Sequence, residues 1–309
     1  MAPELSGAYV TKTIREYRTF PECSSYHSRT NTEVQATRPW RPPTGTLGKL
    51  LEQARLRAEQ LERRRADLKA LAADTPAGGP FADVLRRADV AVIAEVKRAS
   101  PSKGPINPGV GAVALAGAFA DGGASALSVL TEPDHFMGSV QDLVDIRRRV
   151  QLPILKKDFH IDSVQVLEAR AIGASAILLI ARALEPSRLG DLAGEAAQLG
   201  LEVLIEVRDE DELARAVALG ASAAPMIGVN NRNLETLVVN HTTAERILPL
   251  VPADRIAIHE SGIAERSQVE TAAERGADAV LVGSSISAAT EPSMAVRALT
   301  GVARRGRTP

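Results

Sequence analysis

Short apolar runs that end in charged residues recur along the chain. Runs of this kind are typical of strands that are buried on both faces of a parallel sheet. A charge at the end of a buried strand is costly unless it faces a polar cavity, because an ion loses its solvation in a dry interior. The pattern therefore predicts strands that converge on one polar pocket. The four runs are Ala91–Lys97, Pro153–Asp158, Leu201–Glu206 and Ile256–Glu260.

A glycine-containing repeat divides the chain into regular units. A Gly-Ala pair followed by Ser or Asp and then Ala begins at Gly123, Gly173, Gly220 and Gly276, at intervals of 50, 47 and 56 residues. Each copy follows a helical pattern and precedes an apolar run, as expected for a glycine that ends a helix and turns the chain into a strand. Because one βα unit takes roughly 25 residues or slightly more, each interval holds two units.

The number of units favours one α/β fold. Eight strands that alternate with eight helices over residues 90–305 predict a (β/α)8 TIM barrel, in which the carboxyl ends of the strands form the active face. We therefore expect the charged strand ends to surround one opening. An open doubly wound sheet is the alternative, but the chain lacks the Gly-x-Gly-x-x-Gly turn expected after its first strand.

The N-terminal part of the chain differs from the rest. Residues 1–45 are rich in Pro, Ser, Thr and Arg, lack apolar periodicity, and hold all three Tyr and the only Trp, which predicts a flexible extension. A transit peptide and a misplaced start codon are alternatives, although four glutamates in this stretch are unusual for a transit peptide. From Leu47 a stripe of Leu and Ala predicts an amphipathic helix over 47–72, so residues 46–309 form the barrel domain with a leading helix.

Composition limits the classes of function. The 309 residues are 45% hydrophobic and 24% charged, as in ordinary globular proteins, and the formal net charge of -1 predicts neither a nucleic-acid nor a membrane partner. The single cysteine, Cys23, excludes an internal disulfide and a thiolate metal cluster. A secretory apolar segment and a span of about 20 apolar residues are both missing from the sequence, which favours a cytoplasmic protein.

Acidic and basic groups lie at the predicted strand ends. Glu95 and Lys97 are two positions apart, so both can point into the barrel opening, whereas only one of the adjacent Lys156 and Lys157 can do so. Such a set can supply a general acid, a general base and an anion clamp without a metal. The other strand ends contribute Glu206, Glu260, Asn230 and Arg232.

Small residues follow the last two predicted strands. Ser261-Gly262 and Gly283-Ser284 offer free backbone N–H groups where TIM barrels commonly bind phosphate. Tight turns would use the same residues, but the location favours a phosphate site.

One segment carries a family resemblance. The first predicted strand and its loop, Ile93–Gly104, closely resemble the first-strand signature of indole-3-glycerol phosphate synthases, and the resemblance continues through Lys157-Asp158-Phe159 and Glu260-Ser261-Gly262 to about residue 301. It implies a carboxy-lyase that closes the ring of 1-(2-carboxyphenylamino)-1-deoxyribulose 5-phosphate to indole-3-glycerol phosphate in tryptophan biosynthesis. Carbon dioxide and water are lost, and no cofactor or metal is required.

The resemblance also implies roles for the strand-end residues. Lys157 matches the general acid that protonates the ribulose carbonyl, Glu206 matches a general base, and Lys97 matches the lysine that engages the anthranilate carboxylate. A second lysine close by is expected to lower the pKa of Lys157. The remaining matches are Glu95, Asn230, Glu260 and Ser261 as groups that orient the substrate hydroxyls and the lysines, Ser100, Gly262, Gly283 and Ser284 as phosphate positions, Arg232 as a binding arginine, and Phe136 as an apolar wall for the aromatic ring.

A few positions depart from the family pattern. His160 follows the Lys-Asp-Phe motif, His259 precedes Glu260, and the first loop is rich in glycine around Gly109. Strand alternation predicts that His259 faces the helices as a neutral side chain, with a proton carrier as the alternative.

Two other functions fit the sequence less well than the synthase, because the only cysteine lies in the N-terminal extension and the catalytic positions are all present. A phosphoribosyl-sugar isomerase would need an Asp and Cys pair or two Asp at the strand ends, and a binding scaffold would show degraded catalytic positions. The expected partner is a phosphorylated small molecule, and the expected assembly is a monomer or weak homodimer, with other tryptophan-pathway enzymes as candidate partners. General tryptophan supply and a dedicated secondary pathway both fit the sequence.

Overall fold

Eight parallel strands close into a barrel in this computed structural model, which describes residues 38–100, 104–106 and 109–307. Each strand pairs with the next one along the chain, and the last strand pairs with the first. The predicted TIM barrel is thereby confirmed. The strands are β1 (Ala91–Val96), β2 (Ala126–Leu130), β3 (Ile154–Lys157), β4 (Ala176–Ile180), β5 (Glu202–Val207), β6 (Met226–Asn230), β7 (Ile256–Glu260) and β8 (Ala279–Val282).

Helices connect the strands and precede the barrel. A two-stranded antiparallel ribbon, Ala99–Ser100 with Gly104–Pro105, lies in the first loop. The helices of the described residues are α1 (Gly45–Glu62), α2 (Arg65–Asp74), α3 (Ala112–Asp121), α4 (Pro133–Phe136), α5 (Val140–Arg149), α6 (Ser163–Ala171), α7 (Pro186–Gln198), α8 (Glu210–Val217), α9 (Thr242–Ile247), α10 (Arg266–Glu274), α11 (Ser284–Ser287) and α12 (Pro292–Leu299), with single 3₁₀ turns at Asp83–Leu85 and Leu248–Leu250.

The repeated glycines end helices, as predicted. Gly123, Gly173, Gly220 and Gly276 have φ values of 93°, 79°, 78° and 88°. This left-handed conformation is readily adopted by glycine and disfavoured for residues with a Cβ atom. Each glycine therefore turns the chain from a helix toward the next strand.

The leading helix is two helices instead of one. The prediction of a single helix over 47–72 is wrong, because α1 ends at Glu62 and Arg64, with φ -111° and ψ 11°, leaves the helical conformation before α2 begins. This stretch is a run of charged residues with no apolar side chain to hold it against the barrel. The break allows each helix its own contact: Leu47 and Leu50 of α1 join the main core, whereas Leu68 of α2 packs in a separate cluster with α6 residues.

The segment ahead of α1 lies against the barrel. Trp40 Nε1 donates to the carbonyl of Arg182 (3.1 Å), and Arg182 donates to the carbonyl of Arg41 (2.7 Å). Arg38 pairs with Asp209 at 2.6 Å and also with Asp211. We call residues 38–44 the N-terminal strap. The part of the chain that contacts the barrel thus begins by Arg38, earlier than the predicted boundary at residue 45; the rest of the predicted extension lies outside the described residues.

The strands supply the core of the barrel. All residues of β1, β2, β4, β6 and β8 are buried, and so are Phe81, Phe119 and Leu143 from the surrounding layer. Within the described part of the chain, the search for a helix that could cross a membrane finds none. The same residues contain no group of His, Cys, Asp and Glu that could hold a metal ion.

Candidate active site

Lys157 lies at the centre of the carboxyl end of the barrel. Its Nζ is 2.8 Å from an oxygen of Glu260. Oxygens of Glu95 and Glu206 follow at 3.8 and 3.9 Å. These residues end four different strands, β3, β7, β1 and β5, and the closure of the barrel brings them together. The structure therefore places the predicted acid and the predicted base next to each other.

The pKa of Lys157 is raised, so the predicted lowering by a second lysine is wrong. Burial lowers the pKa, but the negative charges of Glu260, Glu95 and Glu206 outweigh burial. The other lysine, Lys97, is held by its own carboxylate, since its Nζ is 3.1 Å from Glu95 Oε1. Both lysines line this site, as the sequence predicted. The prediction of a lowered pKa considered only the repulsion between the lysines and not the attraction of the three glutamates.

Lys97 also faces an aromatic wall. Its Nζ lies 5.6 Å from the centroid of the Phe136 ring, and the centroid of the Phe159 ring is 6.3 Å from that of Phe136. The loop that carries Phe136 is fixed by Glu132, whose carboxylate accepts hydrogen bonds from the backbone of the four-residue helix α4. A cation beside two aromatic rings suits a ligand that combines an aromatic ring with a carboxylate.

Glu206 is a buried carboxyl group with a raised pKa. Burial is the main cause and the charge of Glu260 adds to it, while Lys157 and a hydrogen bond from Asn230 act in the opposite direction; the pKa stands at about 8. A group that titrates near neutral pH can take and return a proton, which is what a general base must do.

Asn230 and Arg232 are linked at the end of β6. The side-chain oxygen of Asn230 accepts from the backbone N–H of Arg232 at 2.9 Å, which leaves the amide group of Asn230 to face Glu206. Arg232 donates to the carbonyl of Leu237 at 2.9 Å, so the guanidinium is held at the rim by its own loop.

Two glycines make room for the carboxylates. A Cβ atom at Gly228 would collide with Glu260 Oε1, and one at Gly283 would lie 2.5 Å from Glu95 Oε1. Glu260 Oε1 is buried and has no hydrogen-bond partner among the described residues. Sequence analysis missed Gly228, although a glycine inside a buried strand is a signal of close approach by another group.

The loop after β7 has an unusual backbone. Ser261 and Gly262 both have positive φ values, 68° and 91°. A Cβ atom at Gly262 would lie 2.6 Å from a ring carbon of His241, so glycine permits this close approach. Sequence analysis also missed His241, because it lies in the loop after β6 outside every motif.

The loop after β8 lies beside the loop after β7. Ser285 Oγ donates to the carbonyl of Ile263 at 3.0 Å, which joins the two loops. Gly283 precedes the short helix α11, which begins at Ser284, and the first N–H groups of a helix have no acceptor within it. These loops bring the predicted phosphate positions Ser261, Gly262, Gly283 and Ser284 to one side of the opening.

A cavity of about 460 Å³ collects these side chains. Apolar residues such as Leu130, Ile180 and Leu234 line it together with the charged groups. The predicted site residues on its wall are Glu95, Lys97, Phe136, Lys157, Glu206, Asn230, Arg232, Glu260, Ser261, Gly262, Gly283 and Ser284. Ser100 pairs with Gly104 in the ribbon of the first loop, and residues 101–103 lie outside the described residues.

Three unusual polar residues point away from the cavity. Lys156 pairs with Glu168 at 2.9 Å in the helix layer. His160 donates from Nδ1 to the carbonyl of Leu178 (2.9 Å), and burial, aided by Lys156, lowers its pKa to about 3. Burial likewise lowers the pKa of His259 to about 4, and His259 Nε2 is 2.8 Å from the side-chain amide of Asn231. Both histidines are therefore neutral, as predicted for His259.

The fold is a (β/α)8 barrel, and its cavity at the carboxyl ends of the strands gathers acidic and basic side chains, as in an enzyme of this fold. A family model for indole-3-glycerol phosphate synthase matches residues 47–299. The chain is 49% identical over 238 residues to the indole-3-glycerol phosphate synthase of Nocardioides sp., which covers 77% of this chain and 90% of that protein. The chain belongs to the indole-3-glycerol phosphate synthase family.

Solved structures with low identity show the same fold. The 3-hexulose-6-phosphate synthase of Salmonella typhimurium has a TM-score of 0.54 and 18% identity, over 68% of this chain and 96% of that one. KGPDC of Streptococcus mutans has a TM-score of 0.52 and 12% identity, over 68% and 95%. At these identities the likeness extends to the barrel alone.

Proposed function

We propose that the protein converts 1-(2-carboxyphenylamino)-1-deoxyribulose 5-phosphate to indole-3-glycerol phosphate, with loss of carbon dioxide and water. The observation that carries the proposal is Lys157, a buried ammonium group 2.8 Å from Glu260 and 3.9 Å from Glu206, in a cavity with an aromatic wall. Family membership supports the same reaction.

Lys157 acts as the general acid of ring closure. The aromatic carbon that bears the carboxylate attacks the ribulose carbonyl, and a proton from Lys157 converts the developing alkoxide to a hydroxyl group. Loss of carbon dioxide then restores the aromatic ring. Because the carboxylates of Glu260 and Glu95 keep Lys157 protonated, the acid is ready when the substrate enters.

Dehydration needs a second acid and a base. The hydroxyl group takes a proton and leaves as water, and the neighbouring carbon loses a proton to give the indole double bond. Lys97 is the second acid in this scheme, and Glu206 is the base. Two protons are donated and one is taken, so each turnover consumes one proton from solvent, which balances the carboxylate that leaves as carbon dioxide.

The remaining residues hold the substrate. Lys97 pairs with the anthranilate carboxylate while Phe136 packs on its ring, since the two side chains already lie 5.6 Å apart. Glu95 and Asn230 orient the lysines and the hydroxyl groups, as do Glu260 and Ser261. The phosphate takes the positions Ser100, Gly262, Gly283 and Ser284 at the loops after β1, β7 and β8, and Arg232 closes the rim.

The cellular setting is also part of the proposal. We expect the reaction to run without a cofactor, in the cytoplasm, in a monomer or weak homodimer that associates with other tryptophan-pathway enzymes. Residues 46–309 form the catalytic barrel domain. Neither nucleic acid nor membrane is an expected partner.

The test is to incubate the purified protein with the carboxyphenylamino-deoxyribulose phosphate in EDTA and to follow indole fluorescence, with mass spectrometry of the product. The single tryptophan keeps the background low. We expect product in EDTA, and kcat/KM should rise with pH up to about 8 as Glu206 loses its proton. In Glu206→Gln this rise should disappear. A folded wild-type protein that binds the substrate without forming product would contradict the proposal.

A further inference from the structure

A second cavity also has Glu206 in its lining. Its volume is about 310 Å³, and it meets the substrate cavity at Glu206, Ile180 and Leu234, which line both. We call it the side cavity. Its polar lining consists of Arg38, Arg182, Arg208, Asp209, Glu212 and Glu235, with Asn233.

Glu212 is the buried acid of the side cavity. It lies in the first turn of α8 and is 5% exposed, and its carboxylate accepts a hydrogen bond of 2.7 Å from the backbone N–H of Arg208. Nothing in the proposed reaction uses this group. Among the residues that the structure describes, Glu212 has no ion pair, and a buried carboxyl group without one is costly, which favours a functional reason for its position.

The charges around Glu212 allow it to gain and lose a proton near neutral pH. Burial and the charge of Asp209 raise its pKa to about 7, against the hydrogen bond from Arg208 and the charges of Arg215 and Arg208. Across the side cavity it faces Glu206 of β5, whose pKa its charge helps to raise. Arg182, Glu235 and Arg38 also face the cavity, but the first two form a pair at 2.9 Å and the third pairs with Asp209 at 2.6 Å.

The side cavity reaches the surface at the N-terminal strap. The side chain of Arg38 is 67% exposed and lines the cavity, so the strap forms its outer wall. A polar cavity of this size can hold several water molecules, each of which needs two or more polar partners. A chain of water from the surface to Glu206 is therefore sterically possible without passing the substrate.

We infer that Glu212 and the side cavity form a proton relay that connects Glu206 to solvent while the substrate fills the main cavity. The inference rests on the proposed function, in which each turnover takes one proton from solvent. A proton passes from water to the Glu212 carboxylate and on through cavity water to Glu206. Glu206, 3.9 Å from Lys157 Nζ, returns to that lysine the proton it took from the substrate. The proton from solvent then passes through Glu206 and Lys157 to Glu95, which lies 3.8 Å from Lys157 and 3.1 Å from Lys97, and restores the charge of Lys97. Glu212 therefore acts through Glu206, to which it supplies protons, and does not contact the substrate.

The experiment compares Glu212→Gln with Glu210→Gln. Glutamine keeps the acceptor for the Arg208 N–H but cannot carry the proton. Glu210 is the matched control, because it lies on the same helix at the surface and pairs with Arg246. In Glu212→Gln we expect steady-state kcat to fall about tenfold, less than for loss of a direct acid or base. The first turnover, measured in single-turnover mode, should not be slowed, because the lysines begin protonated.

Imidazole buffer, as a small proton carrier, should restore kcat of Glu212→Gln at constant pH and ionic strength, and Glu210→Gln should match wild type throughout. Unchanged kcat in Glu212→Gln would overturn the relay. Equal losses in the first and later turnovers without rescue by imidazole would also overturn it, because they would mean a structural role.

A measurement without turnover separates the relay from the proposed function. Infrared titration of buried carboxyl groups, with Glu206→Gln to assign the Glu206 band, should show the Glu206 midpoint shifted to lower pH in Glu212→Gln and unshifted in Glu210→Gln. If wild type makes no product, the proposed reaction fails, and this titration still decides whether the two carboxyl groups interact. An unshifted midpoint in Glu212→Gln would overturn the relay even in an active enzyme.

Discussion

Lys156 and Lys157 are neighbours in sequence, yet they belong to two charged clusters with different properties. Lys156 is 1% exposed and contacts Glu168 at 2.9 Å, Asp158 at 3.8 Å and the neutral His160. Lys157 points the other way, toward three carboxylates. Because successive side chains of a strand point to opposite faces, Lys156 joins an ion cluster on the helix side of β3, whereas Lys157 joins one that faces the cavity.

The difference lies in how completely the acids are neutralised. Around Lys156, Asp158 has a second cation, Arg57, at 2.9 Å and a hydrogen bond from Thr131 at 2.6 Å. Around Lys157, Glu260 keeps an oxygen without a partner among the described residues, and the pKa of Glu206 is raised. We therefore expect the Lys156 cluster to stabilise the fold and the Lys157 cluster to exchange protons with a ligand.

The largest expected effect separates the two lysines by activity. Lys157→Ala should lower kcat by at least ~10²-fold while substrate binding is largely kept, because the general acid is lost. Fluorescence turnover assays and calorimetric titration with the substrate measure the two quantities. Lys156→Ala, with the adjacent side chain truncated in the same way, serves as the control. Near wild-type turnover in Lys157→Ala would remove this lysine from the acid role.

Lys156→Met should affect stability instead of turnover. Removing the ammonium group leaves Glu168 and Asp158 as buried carboxylates, so we expect a loss of about 3 kcal/mol in the free energy of unfolding, the lower end for a broken buried pair, since Arg57 still neutralises Asp158. Urea denaturation measures it. Turnover at a temperature where the variant is folded should stay close to wild type. A loss of turnover as large as that of Lys157→Ala would contradict the proposal that the Lys156 cluster stabilises the fold and the Lys157 cluster serves catalysis.

A smaller effect tests the space around Glu260. In Gly228→Ala the new methyl group would displace the Glu260 carboxylate from Lys157, and we expect kcat to fall about tenfold because the acid is misplaced. Gly194→Ala in α7 is the matched control, since a Cβ there meets no atom within 4 Å. That control should keep full activity and gain slightly in stability. Equal activity of the two variants would show that Glu260 does not position Lys157.

The sequence predicted that the side chains of Lys156 and Lys157 point to opposite faces of β3, but not the charges that surround each lysine. Period-two geometry established that one of Lys156 and Lys157 points inward, and family resemblance selected Lys157. The direction of its pKa required distances to carboxylates on three other strands, which no local pattern contains. The docking of Trp40 and Arg38 was equally hidden, because an irregular segment that binds through single hydrogen bonds has no periodicity. The break at Arg64 was visible only as a run of charges inside a helical pattern.

The last expected effect concerns the pH dependence of stability. Glu206 has a folded-state pKa of about 8, above its unfolded value of 4.5, so between these values the folded state binds a proton that the unfolded state does not. Stability from this group is therefore complete below the unfolded pKa and is lost progressively as pH rises toward 8. Glu206→Gln, which cannot ionise, should remove this loss. We expect the melting temperature of the variant to exceed that of wild type by more at pH 9 than at pH 6. Glu210→Gln controls for removal of one carboxylate. The same gain at both pH values would mean that ionisation of Glu206 does not destabilise the folded protein.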